Sequence, residues 1–96
     1  MVNKRFKLTA RVSSSNLQAI RPVLEKLITK GSVRREGDEF IIEAEMQGSN
    51  VKDLNRSLLS ALRRVEKKTR LRAEWSSTDG TILRFFDYVL KKTSKS

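Results

Sequence analysis

Residues 39–65 read EFIIEAEMQGSNVKDLNRSLLSALRRV and contain both periodicities on which the fold depends. At the start, Phe40, Ile42, Ala44 and Met46 alternate with Ile41, Glu43, Glu45 and Gln47. Successive side chains of a strand point to opposite faces, so this is a strand with one apolar and one mostly polar face. Gly48-Ser49-Asn50 ends the alternation. Asn50 suits a helix N-cap, and Asp53 stands three residues on, where its charge complements the positive helix end. Val51, Leu54, Leu58, Ala61, Leu62 and Val65 then recur at helical spacing. Lys52, Arg56, Arg63, Lys67 and Arg70 fall within a narrow arc on the other side, so the helix is amphipathic with a basic face.

Towards the N-terminus, Val33 and Arg35 lie on one face of a short strand, and Gly37-Asp38 joins it to the strand at Phe40 as a hairpin. Phe6, Leu8, Ala10 and Val12 alternate strictly with Arg5, Lys7, Thr9 and Arg11, which makes a half-buried strand with a basic outer face. Between them, Leu17, Ile20, Leu24, Leu27 and Ile28 follow helical spacing after the capping run Ser13-Ser14-Ser15-Asn16. Pro22 lacks a backbone donor and predicts a kink, or a regular helix that starts only near Arg21; Gly31 is the expected stop.

Towards the C-terminus, Leu71, Ala73 and Trp75 alternate with Arg70, Arg72 and Glu74 as a fourth strand, and Ser76–Gly80 is a turn. Residues 81–92 satisfy two templates. Phe85, Phe86 and Tyr88 favour a strand by propensity. Thr81, Arg84, Asp87 and Lys91 share one helical face, with Ile82, Phe85, Phe86, Val89 and Leu90 opposite, and this periodicity predicts a C-terminal helix. A C-terminal strand paired with Leu71–Trp75 is the alternative.

The order β-α-β-β-α-β is the ferredoxin-like, or split βαβ, arrangement: an α+β fold with two helices on one face of an antiparallel sheet. In it the first and third strands are neighbours. Lys7 and Arg11 would face Glu43 and Glu45, leaving the centre of the open sheet face close to neutral. The 96 residues allow one domain, expected over residues 1–92, with a basic flexible tail at 93–96.

The chain has 21 Lys and Arg against 11 Asp and Glu, a net charge of +10, which favours an acidic partner, nucleic acid before others. With no Cys and no His, disulfides, thiolate or imidazole metal sites, thiol nucleophiles and histidine-based triads are excluded. Gly48 stands alone and Gly37 belongs to a hairpin, so there is no glycine-rich phosphate loop. The pairs Glu43/Glu45 and Asp38/Glu39 read as strand-face and turn charges. No enzyme activity, catalytic residue, metal or cofactor is expected. No apolar run approaches the roughly 18 residues that span a bilayer, and no signal peptide opens the chain, so a cytoplasmic protein without membrane partners is expected.

The charge is uneven. Residues 51–96 carry a net +7 and residues 1–50 a net +3. Arg63, Arg64, Lys67, Lys68, Arg70 and Arg72 form the densest cluster; with Arg56 they are the candidate nucleic-acid-binding residues. The same cations would otherwise be a solvated helix face whose last turn complements the helix dipole. The outward faces of the first and third strands offer Lys7, Thr9, Arg11, Ile41, Glu43 and Glu45, none of them aromatic, so base stacking there is not expected. Leu59 lies off the apolar stripe beside Lys52 and Arg56. With Trp75, Phe85 and Phe86 it makes a candidate protein interface, against the plain alternative that Trp75 is core.

The run Glu36-Gly37-Asp38-Glu39-Phe40-Ile41-Ile42-Glu43-Ala44-Glu45, followed by Leu54, Leu58, Ser60, Leu62, Arg63 and Val65, resembles the small dimerisation subunit of the KEOPS complex, the CTAG or LAGE-like family. The resemblance spans Phe6 to Lys67. Leu59 stands where that family usually has Asn, and Arg56 takes the place of its Arg; Leu71–Ser96 has no counterpart in the shortest members. The resemblance implies a non-catalytic accessory subunit that forms homo- or heterodimers, joins the protein subunits of a larger complex, and helps hold tRNA for threonylcarbamoyl-adenosine modification. Leu54, Leu58 and Leu62 would serve its helix packing. Two other functions stay open: a stand-alone basic DNA- or RNA-binding protein, and an accessory subunit of another nucleic-acid machine such as a DNA polymerase.

Overall fold

The computed structural model describes residues 4–91; the tail expected at 93–96 lies outside the described residues. The elements run β1 (Lys4–Ser13), α1 (Leu17–Leu27), β2 (Gly31–Glu36), β3 (Glu39–Gly48), α2 (Val51–Val65), β4 (Arg70–Ser77), β5 (Ile82–Phe86) and β6 (Val89–Lys91). The six strands form one antiparallel sheet in the order β2-β3-β1-β4-β5-β6. This is a small α+β fold in which two helices pack against one side of the sheet.

The alternation in β1 and β3 fixes which side is covered. Phe6, Leu8, Ala10 and Val12 of β1 and Phe40, Ile42 and Ala44 of β3 are buried, and they meet Leu17, Ile20 and Leu24 of α1 and Leu58, Leu59 and Leu62 of α2 in one cluster. A one-residue slip would turn either strand's apolar set to water, so the pattern also fixes the register, Leu8 opposite Ala44 and Ala10 opposite Ile42. Each fully buried Leu or Ile stabilises the fold by about 1.5–3 kcal/mol.

Local chemistry sets the element ends. The Asn50 side chain accepts a hydrogen bond from Asp53 N at 2.8 Å and donates to the Asp53 carboxylate at 3.1 Å, a reciprocal cap. Asn16 caps α1 by accepting from Ala19 N at 3.3 Å. The hairpin β2–β3 turns on Gly37-Asp38 with φ +58° at Gly37, the glycine that a two-residue hairpin turn needs at its first position. Contrary to the delayed start considered above, α1 is helical from Leu17 and runs through Pro22. It ends at Leu27, ahead of Gly31, which opens β2 instead of stopping the helix.

The C-terminal helix expected over residues 81–92 is not formed. Ile82–Phe86 pairs with β4, Ile82 opposite Ser76 and Phe86 opposite Arg72, and Val89–Lys91 pairs back on β5. The strand alternative is therefore correct, with one further short strand beyond it. A lone helix of a dozen residues is marginal, whereas pairing satisfies the backbone edge of β4 and seats the aromatic residues on a pleated surface. Asp87, in the two-residue turn, has φ +56°, which no right-handed helix contains.

Candidate nucleic-acid interface

The uncovered face of the sheet is a grid of charges. Arg5 lies 3.9 Å from Glu45, Arg11 3.2 Å from Glu39, Arg34 3.5 Å from Glu36 and Arg84 3.8 Å from Glu74. Each exposed pair adds little stability. Together they draw most of the face towards neutrality, but not through the expected partners: Lys7 stands opposite Glu45, whereas Arg11 stands opposite Ile41 and pairs with Glu39. Ile41 points to this face yet is 7% exposed; its cross-strand neighbours are Arg11 and Arg34, whose aliphatic stems can lie over it.

The balance fails at one end of the sheet. There β1 runs out at Ser13, the loop from α2 delivers Lys67 and Lys68, and β4 begins at Arg70, paired with Ser13. Ser13, Ser14, Ser15, Lys67, Lys68 and Arg70, with Arg63 and Asp38, line a shallow hollow of about 680 Å³. The N-terminus of α1 opens beside the same serines, and its first turn has no acid to offset the positive end of the helix. Two residues along β4, Arg72 lies between Arg11 and Phe86 in register on the open face. Among the described residues, no carboxylate forms an ion pair with Arg64, Lys67, Lys68, Arg70 or Arg72. Lys67, Lys68, Arg70 and Arg72 form a basic rim from the loop onto the sheet, and Arg64 is exposed in the last turn of α2.

The other two sequence candidates lie differently. Arg63 is half-buried and fully engaged: its Nε donates to Thr69 O at 2.9 Å, its Nη2 lies 3.5 Å from Asp87 Oδ1, and its guanidinium sits over the Tyr88 ring at 5.2 Å. It fastens the end of α2 to the loop and to the β5–β6 turn. Arg56 is exposed, but seven residues nearer the start of α2 it lies about 10 Å along the helix axis from Arg63, away from the rim.

The expected protein interface does not come together. Leu59, Trp75 and Phe85 are buried in the core, so none of the three is available to a partner. The buried arc of α2 is rotated towards Asn55 and Leu59, while Val65, expected on the apolar stripe, is 48% exposed. Phe86, next to Phe85, emerges on the opposite face because strand side chains alternate.

Two residues that position this site were missed in the sequence. Asn55 is buried; its Oδ1 accepts from Trp75 Nε1 at 3.1 Å and its Nδ2 donates to Asp87 O at 2.8 Å. Asp87 Oδ1 accepts from Leu71 N at 2.9 Å, and Asp87 N donates to Leu71 O at 2.7 Å. This network fixes the β5–β6 turn against β4 and α2, and with it Phe86 beside Arg72. Its only sequence signal was an asparagine inside an otherwise leucine-rich helix.

The fold and rim define a small α+β protein with a basic edge, and no helix is long and apolar enough to cross a membrane. Comparison with known protein families, with curated proteins and with solved structures finds no match.

Proposed function

We propose that this chain is a non-catalytic nucleic-acid-binding protein that holds phosphates along the rim formed by Ser13–Ser15, Lys67, Lys68, Arg70 and Arg72. The observation that supports this most directly is the clustering of charge: Lys67, Lys68, Arg70 and Arg72 lie together at one end of the sheet and none forms an ion pair among the described residues, whereas Arg5, Arg11, Arg34 and Arg84 each lie beside a carboxylate. Lys and Arg side chains on phosphates release counterions, which makes binding strong at low salt and steeply salt-dependent. In the same reading the first four strands, ordered β2-β3-β1-β4, with α1 and α2, form a ferredoxin-like unit extended by the β5–β6 hairpin.

A narrower proposal is an accessory subunit of the KEOPS type that dimerises and assists tRNA binding in the cytoplasm. The motif over β3 and α2 favours it. Leu58 and Leu62 of that motif are buried in the chain's own core and Leu54 packs against it, so the rim supports binding of the acid more directly than it supports a partner subunit. A pull-down with and without nuclease separates the two: nuclease-resistant KEOPS subunits support the narrower proposal.

The rim is tested by replacing Lys67, Lys68, Arg70 and Arg72 with Ala and following a labelled single strand of about 12 nucleotides by fluorescence anisotropy. Between 50 and 200 mM salt, loss of four phosphate contacts should flatten the log–log salt slope by about 3 and weaken binding at least about tenfold. Unchanged affinity in the variant, or no salt-dependent binding by the natural chain, would overturn the assignment.

A further inference from the structure

Phe86 is a large apolar side chain at the end of β5 on the open face, 48% exposed, with exposed Val89 opposite it on β6. It stands opposite Arg72, whose guanidinium lies 5.3 Å from the ring centroid. The same row continues across the sheet through Arg11, Ile41 and Arg34. Between these side chains lies a hollow of about 370 Å³, lined by Ile41, Arg11, Arg72 and Phe86 together with the carboxylates Glu43 and Glu74. The Arg72 guanidinium lies over the Phe86 ring at the edge of this hollow, and a planar aromatic group entering it would extend that stack.

We infer that this hollow takes an unpaired base of a single-stranded nucleic acid, stacked on Phe86 and Arg72, while the backbone follows the rim; the inference rests on the proposed function and narrows its substrate. Three features select this occupant. Arg72, which has no carboxylate partner among the described residues, lies against the ring and leads onto the basic rim, so charge complementarity favours a polyanion over a second copy of a chain with net charge +10. Arg70 and Arg72 are two residues apart on one strand, about 6.8 Å, which suits successive phosphates of an extended strand. A base in a duplex has its faces covered by its neighbours, and only an unpaired base can present one to Phe86. The Asn55–Asp87 network holds the platform rigidly, because it fixes the turn that follows Phe86.

The test uses the full chain and three variants, Phe86→Ala, Phe86→Leu and Phe86→Tyr, each checked by circular dichroism. Four probes of equal length are titrated: oligo-dT, oligo-rU, an abasic deoxyribose-phosphate strand and a DNA duplex. The natural chain should bind a base-bearing single strand more tightly than the abasic one, and the better of dT and rU identifies the sugar it prefers. Phe86→Ala and Phe86→Leu should each lose about tenfold or more for that strand and nothing for the abasic strand or the duplex, and Phe86→Tyr should restore the loss. Leu keeps an apolar side chain on the hairpin, so a loss in both variants reports the ring itself. Equal affinity of the natural chain and Phe86→Leu for dT and rU would overturn the stacking site while leaving the rim intact. A change from dimer to monomer in Phe86→Ala at unchanged affinity would do the same, placing Phe86 in a self-interface. Failure of all four probes to bind the natural chain would overturn the nucleic-acid reading as well.

Discussion

Asp87→Ala removes the residue on which the C-terminal hairpin turns. The carboxylate accepts from Leu71 N at 2.9 Å, and Leu71 is buried, so this N–H loses its partner at a loss of about 1–3 kcal/mol. The ion pair with Arg63 is partly exposed, 29% and 28% on the two sides, and adds about 0.2–1 kcal/mol. Alanine tolerates φ +56° less well than aspartate, by about 1 kcal/mol. The bonds made by the Asp87 backbone, to Leu71 O and from Asn55, are available to either residue. The sum is about 2–5 kcal/mol, and at about 4–8 °C per kcal/mol for a domain of this size the melting temperature should fall by about 10 °C or more. Thermal unfolding followed by far-UV circular dichroism and by emission of the single Trp75 reads this directly. Asp87→Asn keeps an acceptor oxygen and a tolerance for left-handed φ, so it should lose about 1 kcal/mol or less. A melting temperature for Asp87→Ala within about 2 °C of the natural chain, under about 0.5 kcal/mol, would refute the turn and restore the helix reading, in which Asp87 is a solvated surface residue.

Two further outcomes follow from the local geometry. Gly31→Ala should destabilise the fold by about 2–3 kcal/mol, read as a lower denaturation midpoint, because a Cβ there falls on the Glu43 carbonyl and Ala44 Cα; Gly37→Ala, with φ +58° and open space around it, should lose only about 1 kcal/mol. Asp79 accepts hydrogen bonds from the Ser77 hydroxyl and Thr81 N, which lower its pKa from 3.8 to about 2. Its contribution to stability is therefore complete above the unfolded value and lost as pH falls towards 2, and a carboxyl carbon titration by NMR with its midpoint near 3.8 would contradict this.

The elements that could be read from sequence were those whose signal is local. Strict alternation gave β1 and β3 with their faces, and the Asn50–Asp53 pair marked the start of α2 to the residue. The C-terminal segment could not be decided locally, because residues 81–92 satisfy a period of 3.6 and a strand composition together. What decides between them is the open edge of β4 and the bonds of Asp87, sixteen residues from Leu71. The same error placed Phe85 and Phe86 on one helical face, whereas the strand sends the first into the core and the second into the open. Asn55 was hidden for a similar reason: a polar residue in a helix reads as exposed until partners 20 and 32 residues away satisfy its amide. The cation cluster was plain as a run of charge. Which of its members are engaged within the fold was not, since the partners of Arg63 lie on a loop and a turn that the sequence did not bring together.

The interface is tested most directly by residue-resolved NMR, in which amide shifts of the full chain are followed as a single strand of about 12 nucleotides is added at low salt. The largest changes should fall on Ser13–Ser15, Lys67–Arg72 and Phe86, and should reverse as salt is raised. Changes centred on the outer faces of α1 and α2 around Arg21 and Arg56, or no changes at all, would contradict it.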